Sequence, residues 1–453
     1  MIFEAFLNFE IVMASEINLS NKKTLGSVSA SDILYKFLLL LAVFDGVRSW
    51  MVAGGNYLAI LKEVTVCFLV LLVVLKNGSK AYWKTLLISN VPFIVYLAVF
   101  GTFIIWFNDF DQNQIMDRSI IRYDQPNKYI LHFKTIEAFV IIYLLLNYEE
   151  VTGRNIKFLL NYFVLLCTGM ILFTLLVYFV IDLSAIFEAH WYGRISIGYP
   201  PADTQVLSFA LAYLLFVRGQ FRSRYKIVLI IILIFGIVMN ATGTGLLSLI
   251  FIFLFLTLFS FWTGSVLRIM KWSNALFVLI SFGLIVLTAT VIGQGGRQLD
   301  GFSEVIEKKI NSVKSRIFVT LQIGDQTVTD DPSVDVRKNQ ITKAFNSKND
   351  AVTMVVGGPI SIGTLIENEN FFVLRTYGYL GLLFYYIWIF YCVVLSIKNL
   401  RNENGRLFLM TLIILMLSNL SLVTTYMFGV AVSYALLISF CIINIRRKYL
   451  TDR

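Results

Sequence analysis

The chain alternates long, unbroken apolar runs with short polar connections. Twelve windows are apolar over most of their length: 33–53, 57–75, 85–107, 135–147, 158–181, 204–217, 227–242, 245–263, 274–293, 371–396, 407–421 and 426–445. Most approach the roughly 20 residues that a helix needs to cross a hydrocarbon core. Strands of a membrane barrel would be shorter and would alternate in polarity, and these runs do not. The pattern predicts an all-α polytopic membrane protein with about 12 transmembrane helices. Residues 294–370 break the rhythm, a polar stretch of 77 residues between two apolar blocks.

The expected organisation is an N-terminal segment 1–32, nine helices over 33–293, the large loop 294–370, three more helices over 371–445 and a tail 446–453. The first 32 residues lack a basic start followed by an apolar block and a small-residue cleavage site, so no cleaved leader is expected. Within the large loop, GFSEVIEKKINSVKSRIFVTLQ sets Phe302, Val305, Ile306, Ile310, Val313 and Ile317 at helical spacing with Lys and Glu between them. That spacing predicts a helix lying at the membrane interface. A second short helix is expected near 334–346, and Gly357, Gly358, Pro359 and Gly363 mark a turn back to the membrane.

Composition agrees: 58% of residues are hydrophobic, mean hydropathy is +0.76 and there are only 6 prolines. Charge then orients the helices. With the N-terminus inside, the inside segments hold twenty Lys and Arg, whereas the short outside connections hold five, Arg118, Arg122, Lys128, Lys134 and Arg194. Long translocated loops do not count in this rule, so both termini are expected in the cytoplasm and the 294–370 loop outside. The net charge of +10 is then mostly this inside bias, and no nucleic-acid partner is expected. Cys67, Cys167, Cys392 and Cys441 all fall in apolar windows, where they act as small apolar residues. With only His132 and His190 besides, neither a disulfide framework nor a metal site is expected. Asp330 and Asp331, followed by Pro332, read as an exposed turn rather than a divalent-metal site.

A charge at bilayer depth costs about 2.5–3.5 kcal/mol even on lenient insertion scales, so those that remain pair or face a cavity. Asp45 and Arg48 lie near the outer end of the first window, and Lys62 and Glu63 lie at similar depth past the hairpin at Gly54 and Gly55. Cross-pairing between these two pairs is expected, either as ion pairs that fix helix register or as the lining of an outward-facing substrate cavity. Three arginines, Arg194, Arg337 and Arg375, fall on the outer side. A converging set of guanidiniums suits phosphate oxygens, while a single one reads as a residue snorkelling to the headgroups. Beside them, ENEN puts Glu367, Asn368 and Glu369 at a helix start. They read either as ordinary capping or as carboxylates kept ionised by the helix dipole and the arginines.

The order of these pieces resembles the O-antigen polymerases and the related O-antigen ligases of bacterial envelopes, over roughly residues 190–395. In that family a Gly-Arg motif with small and Pro-containing residues precedes a span; here it is GRISIGYPPADTQ, Gly193 to Gln205. An arginine stands upstream of a Gly-rich turn in the large loop; here Arg337 precedes VVGGPISIG. A polar pair then precedes a span with an LG signature; here ENENFFVLRTYGYLGLLFYY, with Glu367 and Asn368 eleven and ten residues before Gly378. The ligases typically carry His as the first member of that pair, and Glu367 in its place favours a polymerase. NATGTG, Asn240 to Gly245, departs from the family in lacking the arginine of a Ser-Arg pair.

The resemblance implies a glycosyltransferase of the inner membrane. It would move a growing glycan from undecaprenyl diphosphate onto the non-reducing sugar of a second carrier-linked repeat unit, on the periplasmic side. Arg194 and Arg337, with Arg375, would stabilise the departing diphosphate, and Glu367 or Glu369 would take the acceptor proton. No metal or other cofactor is implied, and a chain-length regulator is a conceivable partner. Trp191, Tyr192, Tyr199, Tyr377 and Tyr379 flank this region and would either stack on sugar faces or anchor the interface. The rival readings are a ligase that hands finished glycan to another acceptor and a flippase for the same lipid-linked sugars. A flippase commonly shows two related halves, and no repeat between halves is evident in this chain.

Overall fold

The computed structural model describes residues 30–48, 55–76, 128–179, 198–240, 242–262, 351–356, 368–420, 422, 424–425 and 427–451. Every regular element among them is helical: α1 (Ala30–Val43), α2 (Asp45–Arg48), α3 (Gly55–Leu75), α4 (Lys128–Leu146), α5 (Tyr148–Thr152), α6 (Ile156–Phe179), α7 (Pro200–Phe216), α8 (Ser223–Asn240), α9 (Gly243–Trp262), α10 (Ala351–Val356), α11 (Glu369–Lys398), α12 (Glu403–Asn419) and α13 (Phe428–Thr451). Each apolar window that falls on described residues coincides with one of these helices. Windows 85–107 and 274–293, and the loop helices expected within 302–346, lie outside the described residues.

Four helices are long and apolar enough to cross a membrane by length and composition, over Ile156–Val177, Ser223–Asn240, Thr376–Lys398 and Phe428–Arg447. Apolar side chains also point outward in stripes at helical spacing. Leu383, Ile387 and Phe390 form one on α11, and Ile250, Leu254 and Leu258 form another on α9, with Phe390 68% exposed. Water would penalise such faces, whereas lipid tails would not. The chain is a membrane protein.

The bundle is built around α7 and α13, whose residues are nearly all buried. α13 packs along α4, α12 and α7, and α7 also meets α6, α8, α9 and α12. Hydroxyls inside these helices are satisfied one turn back, as where Ser208 Oγ donates to the Thr204 carbonyl at 2.8 Å and Ser433 Oγ to that of Gly429 at 2.6 Å. Without water nearby, that local bond spares each an unpaired donor. α7 begins with Pro200 and Pro201, where the missing N–H groups cost nothing.

The course of α11 is set at its start and at one glycine. Asn368 caps the helix, its side-chain oxygen accepting from the amides of Asn370 and Phe371. α11 is then broken at Gly378, whose φ of 67° and ψ of −170° suit glycine alone. The apolar run 371–396 therefore holds two helical pieces in series rather than one straight span.

The two ends of the bundle differ in character. At one, Asp32 accepts from Tyr148 Oη at 2.6 Å and from Arg154 at 2.9 Å, Lys76 Nζ donates to the Val151 carbonyl at 2.7 Å, and Arg447 pairs with Glu149. The Lys and Arg of the connections around α5, α8 and α12 gather here, so this end is basic and accessible. The other end carries buried polar and charged side chains from several helices.

Candidate functional site

The polar end is assembled where α1 runs out at Phe44 and the short α2 turns toward α3. Asp45, first in α2, meets Lys62 Nζ of α3 at 3.1 Å. One residue further along α3, Glu63 pairs with Lys134 of α4, and the same ammonium donates to Glu137 Oε2, one turn on, at 2.9 Å. Both ammoniums lie over the ring of Phe428, the first residue of α13, at 4.7 Å for Lys62 and 5.8 Å for Lys134. Lys62 and Glu137 are almost wholly shielded from solvent, which strengthens each charge pairing and raises the cost of losing a partner. One oxygen on each of Glu63 and Glu137 is buried with no hydrogen-bond partner.

Asp203, in the first turn of α7, lies beside this network. Its carboxylate rests against the backbone of Gly46 and Gly198, so closely that a Cβ on either glycine would overlap it. Its amide donates to the Tyr199 carbonyl at 3.0 Å, closing the first turn. Deeper in the interior, Gln205 Oε1 accepts from Ser248 of α9 at 3.3 Å. Gln205 Nε2, Asn240 Oδ1 and Thr376 Oγ1 are buried without partners.

Glu369 begins α11 and is completely buried. Its carboxyl is held by the segment between α12 and α13. Thr425 donates through Oγ1 at 2.7 Å and through its amide at 3.2 Å, and Thr424 Oγ1 approaches at 3.4 Å. Thr424 Oγ1 also donates to Asn419 Oδ1 at 2.8 Å, and Asn419 donates to Tyr385 Oη at 3.0 Å. Burial pushes the Glu369 carboxyl up to about 7, and the donors from Thr425 and Thr424 only partly oppose it. A carboxyl that changes charge near neutrality can give or take a proton under working conditions.

This shift has a stability consequence with a definite sign. The folded state keeps its proton up to about 7, whereas the unfolded chain releases it near the ordinary carboxylate value. The contribution is full below that ordinary value and is lost as pH rises through about 7. Its size is on the order of 3 kcal/mol. The unfolding midpoint of detergent-solubilised protein should fall over this pH window, and Glu369→Gln should flatten the fall. An unchanged slope in that variant would remove Glu369 as its source.

Of the residues singled out from sequence, Asp45 is in the ion-pair network, with Lys62 as partner, while Glu63 turns to Lys134. Arg48 lies in α2 and Arg375 in α11, but their side chains are outside the described residues. Asn368 is used in capping, and its amide donates to the Leu420 carbonyl at 3.3 Å. Tyr199 is half-buried at the N-cap of α7, and Tyr377 is fully buried beside the break at Gly378. Arg194, Arg337 and Glu367 fall outside the described residues. Sequence reasoning missed Glu137, Lys134 as an ion-pair centre, and Asp203. The usable signal for the first two was an oppositely charged i, i+3 pair opening an apolar run.

The start of α7, from GRISIGYPPADTQ, and the start of α11, from ENEN, reach the same end of the bundle. Asp203 touches α2 at Gly46, Lys62 joins α2 and α3 to Phe428, and Thr425, three residues before Phe428, holds Glu369. The chain matches no protein-family model, and no curated protein matches it.

Proposed function

We propose that the chain is a membrane glycosyltransferase that polymerises carrier-linked repeat units of a bacterial surface polysaccharide at the polar end of its bundle, on the periplasmic face. The observation that carries this reading is the meeting at one end of two sequence motifs that lie about 170 residues apart, each opening a helix with a buried carboxylate. In the reaction, the acceptor hydroxyl oxygen bonds to the anomeric carbon of the donor glycan. The bond from that carbon to the diphosphate oxygen breaks, and undecaprenyl diphosphate leaves with the electron pair. The hydroxyl proton passes to a carboxylate, for which Glu369 is the candidate and Glu367 the alternative. Arg194, Arg337 and Arg375 neutralise the leaving diphosphate. Fixed cations and fixed amphiphiles suffice for much of the acceleration, because the diphosphate already supplies a good leaving group.

Glu369 supports this role by chemistry and constrains it by position. Its proton affinity suits a base near neutrality, and its burial requires the Thr424–Thr425 segment to move before an acceptor can reach it. A second reading, transport of the same lipid-linked sugars, is favoured by the break in α11 at Gly378 and by paired charges inside the bundle. Deleting the encoding gene and resolving the surface glycans separates the readings. Single repeat units on the final acceptor, with the long ladder lost, support the polymerase. Complete polymer left on its carrier identifies a ligase, and repeat units trapped on the cytoplasmic face identify a flippase.

A further inference from the structure

We infer that Glu63 of α3 and Glu137 of α4 form a proton-binding site, an acid pair that holds one proton between two carboxyls. Both carboxylates converge on one ammonium, Lys134 Nζ. Each uses one oxygen for that contact, and each leaves its second oxygen buried without any partner. A lone ammonium compensates one negative charge, and two ionised carboxylates sharing it repel each other at short range. Stripping a carboxylate oxygen of water without supplying a donor is costly, more so for Glu137, whose side chain is 2% exposed. A single proton relieves both defects, turning one carboxylate into a donor and leaving one negative charge opposite one positive charge.

The surroundings supply no other relief. Among the described residues, the charged groups facing the pair are Lys134 on its own helix, Lys62 on α3 and, through Lys62, Asp45 on α2. α13 presents the ring of Phe428, which does not titrate. α5 carries Glu149 and Glu150 at the far end of α4. No group of three or more His, Cys, Asp or Glu among the described residues is arranged to hold a metal ion, so a proton is the ligand of choice. The pair bridges α3 and α4, and losing its proton sets two like charges against each other across that contact. Proton release is thereby coupled to the packing of α3 on α4, independently of the reaction assigned to the chain.

The test is infrared difference spectroscopy of the full chain in lipid nanodiscs, titrated from about pH 5 to about pH 9, the range that brackets carboxyls lifted toward neutrality. The carbonyl stretch of protonated carboxylic acids is the readout. Glu369→Gln removes the contribution of Glu369 and isolates the pair. In that background we expect one protonated acid to remain and titrate, and we expect it to vanish on adding Glu137→Gln or, separately, Glu63→Gln, the more solvent-exposed of the two positions. Absence of a protonated-acid band in the Glu369→Gln protein, or a band that survives both further substitutions, overturns the inference. Loss of the band on adding sodium chloride at constant pH, relative to choline chloride, overturns it in favour of a monovalent cation. Because none of these readings needs glycan synthesis, a failed polymerase assay leaves the result standing, and the reverse also holds.

Discussion

Lys134→Ala is expected to destabilise the solubilised protein by about 3–5 kcal/mol, the usual cost of removing one partner from a buried ion pair. The side chain of Lys134 is 9% exposed and serves two carboxylates, so its loss strands Glu63 and Glu137 together. Glu63, with 30% of its side chain exposed, recovers some hydration, and the cost falls mainly on Glu137. Glu137 can escape part of it by taking a proton, so the loss should be smaller at acidic than at alkaline pH. The double variant Lys134→Ala/Glu137→Ala should be more stable than Lys134→Ala alone, because it removes the stranded charge. Unfolding midpoints in detergent check this directly. A Lys134→Ala protein within about 1 kcal/mol of the native one would mean that the bridge contributes no more than an exposed surface pair.

The helices were legible because an apolar run near bilayer length leaves the backbone little choice but to bond to itself. Their starts were less legible. α4 begins at Lys128, seven residues before the apolar window at 135, because KYILHFKT reads as mixed until Lys134 is seen to be neutralised from two sides. The broken α11 was half-visible, since Gly378 stood in the LG signature, but sequence alone does not give its φ. Pairing between Asp45 and Lys62 followed from equal depth on adjacent helices. The turn of Glu63 toward Lys134 did not, because it depends on which helix flanks α3, and the partner lies 71 positions away. Asp203 was hidden for the same reason. Its importance appears only when Gly46, more than 150 positions upstream, is brought against its carboxylate. Glu369 was found by its place at a helix start, but its burial and its grip by Thr424 and Thr425 belong to the tertiary fold.

Arg194→Ala and Arg337→Ala should each abolish chain growth while leaving the amount of protein in the membrane unchanged. Arg194 stands four residues before Gly198, the point from which the chain runs into the first turn of α7 beside Asp203. Arg337 stands in the loop that returns the chain to Glu369. A guanidinium aimed at a leaving diphosphate acts where charge develops, and removing one such donor costs about 100- to 1,000-fold in rate. Over the many successive transfers that build a long glycan, such a loss reads as no ladder at all. Arg→Lys at either position keeps the charge but not the planar fork, so short ladders should return in part. Glu369→Gln should also stop growth, but for lack of a proton acceptor, and its donor should still bind. Donor binding, measured as retention of a radiolabelled carrier-linked repeat unit by purified protein, therefore divides the variants. The arginine variants should lose retention, and Glu369→Gln should keep it. Near-normal polymer from both arginine variants would remove the diphosphate clamp, and retained donor without polymer in all three would move the arginines from binding to the transfer step itself.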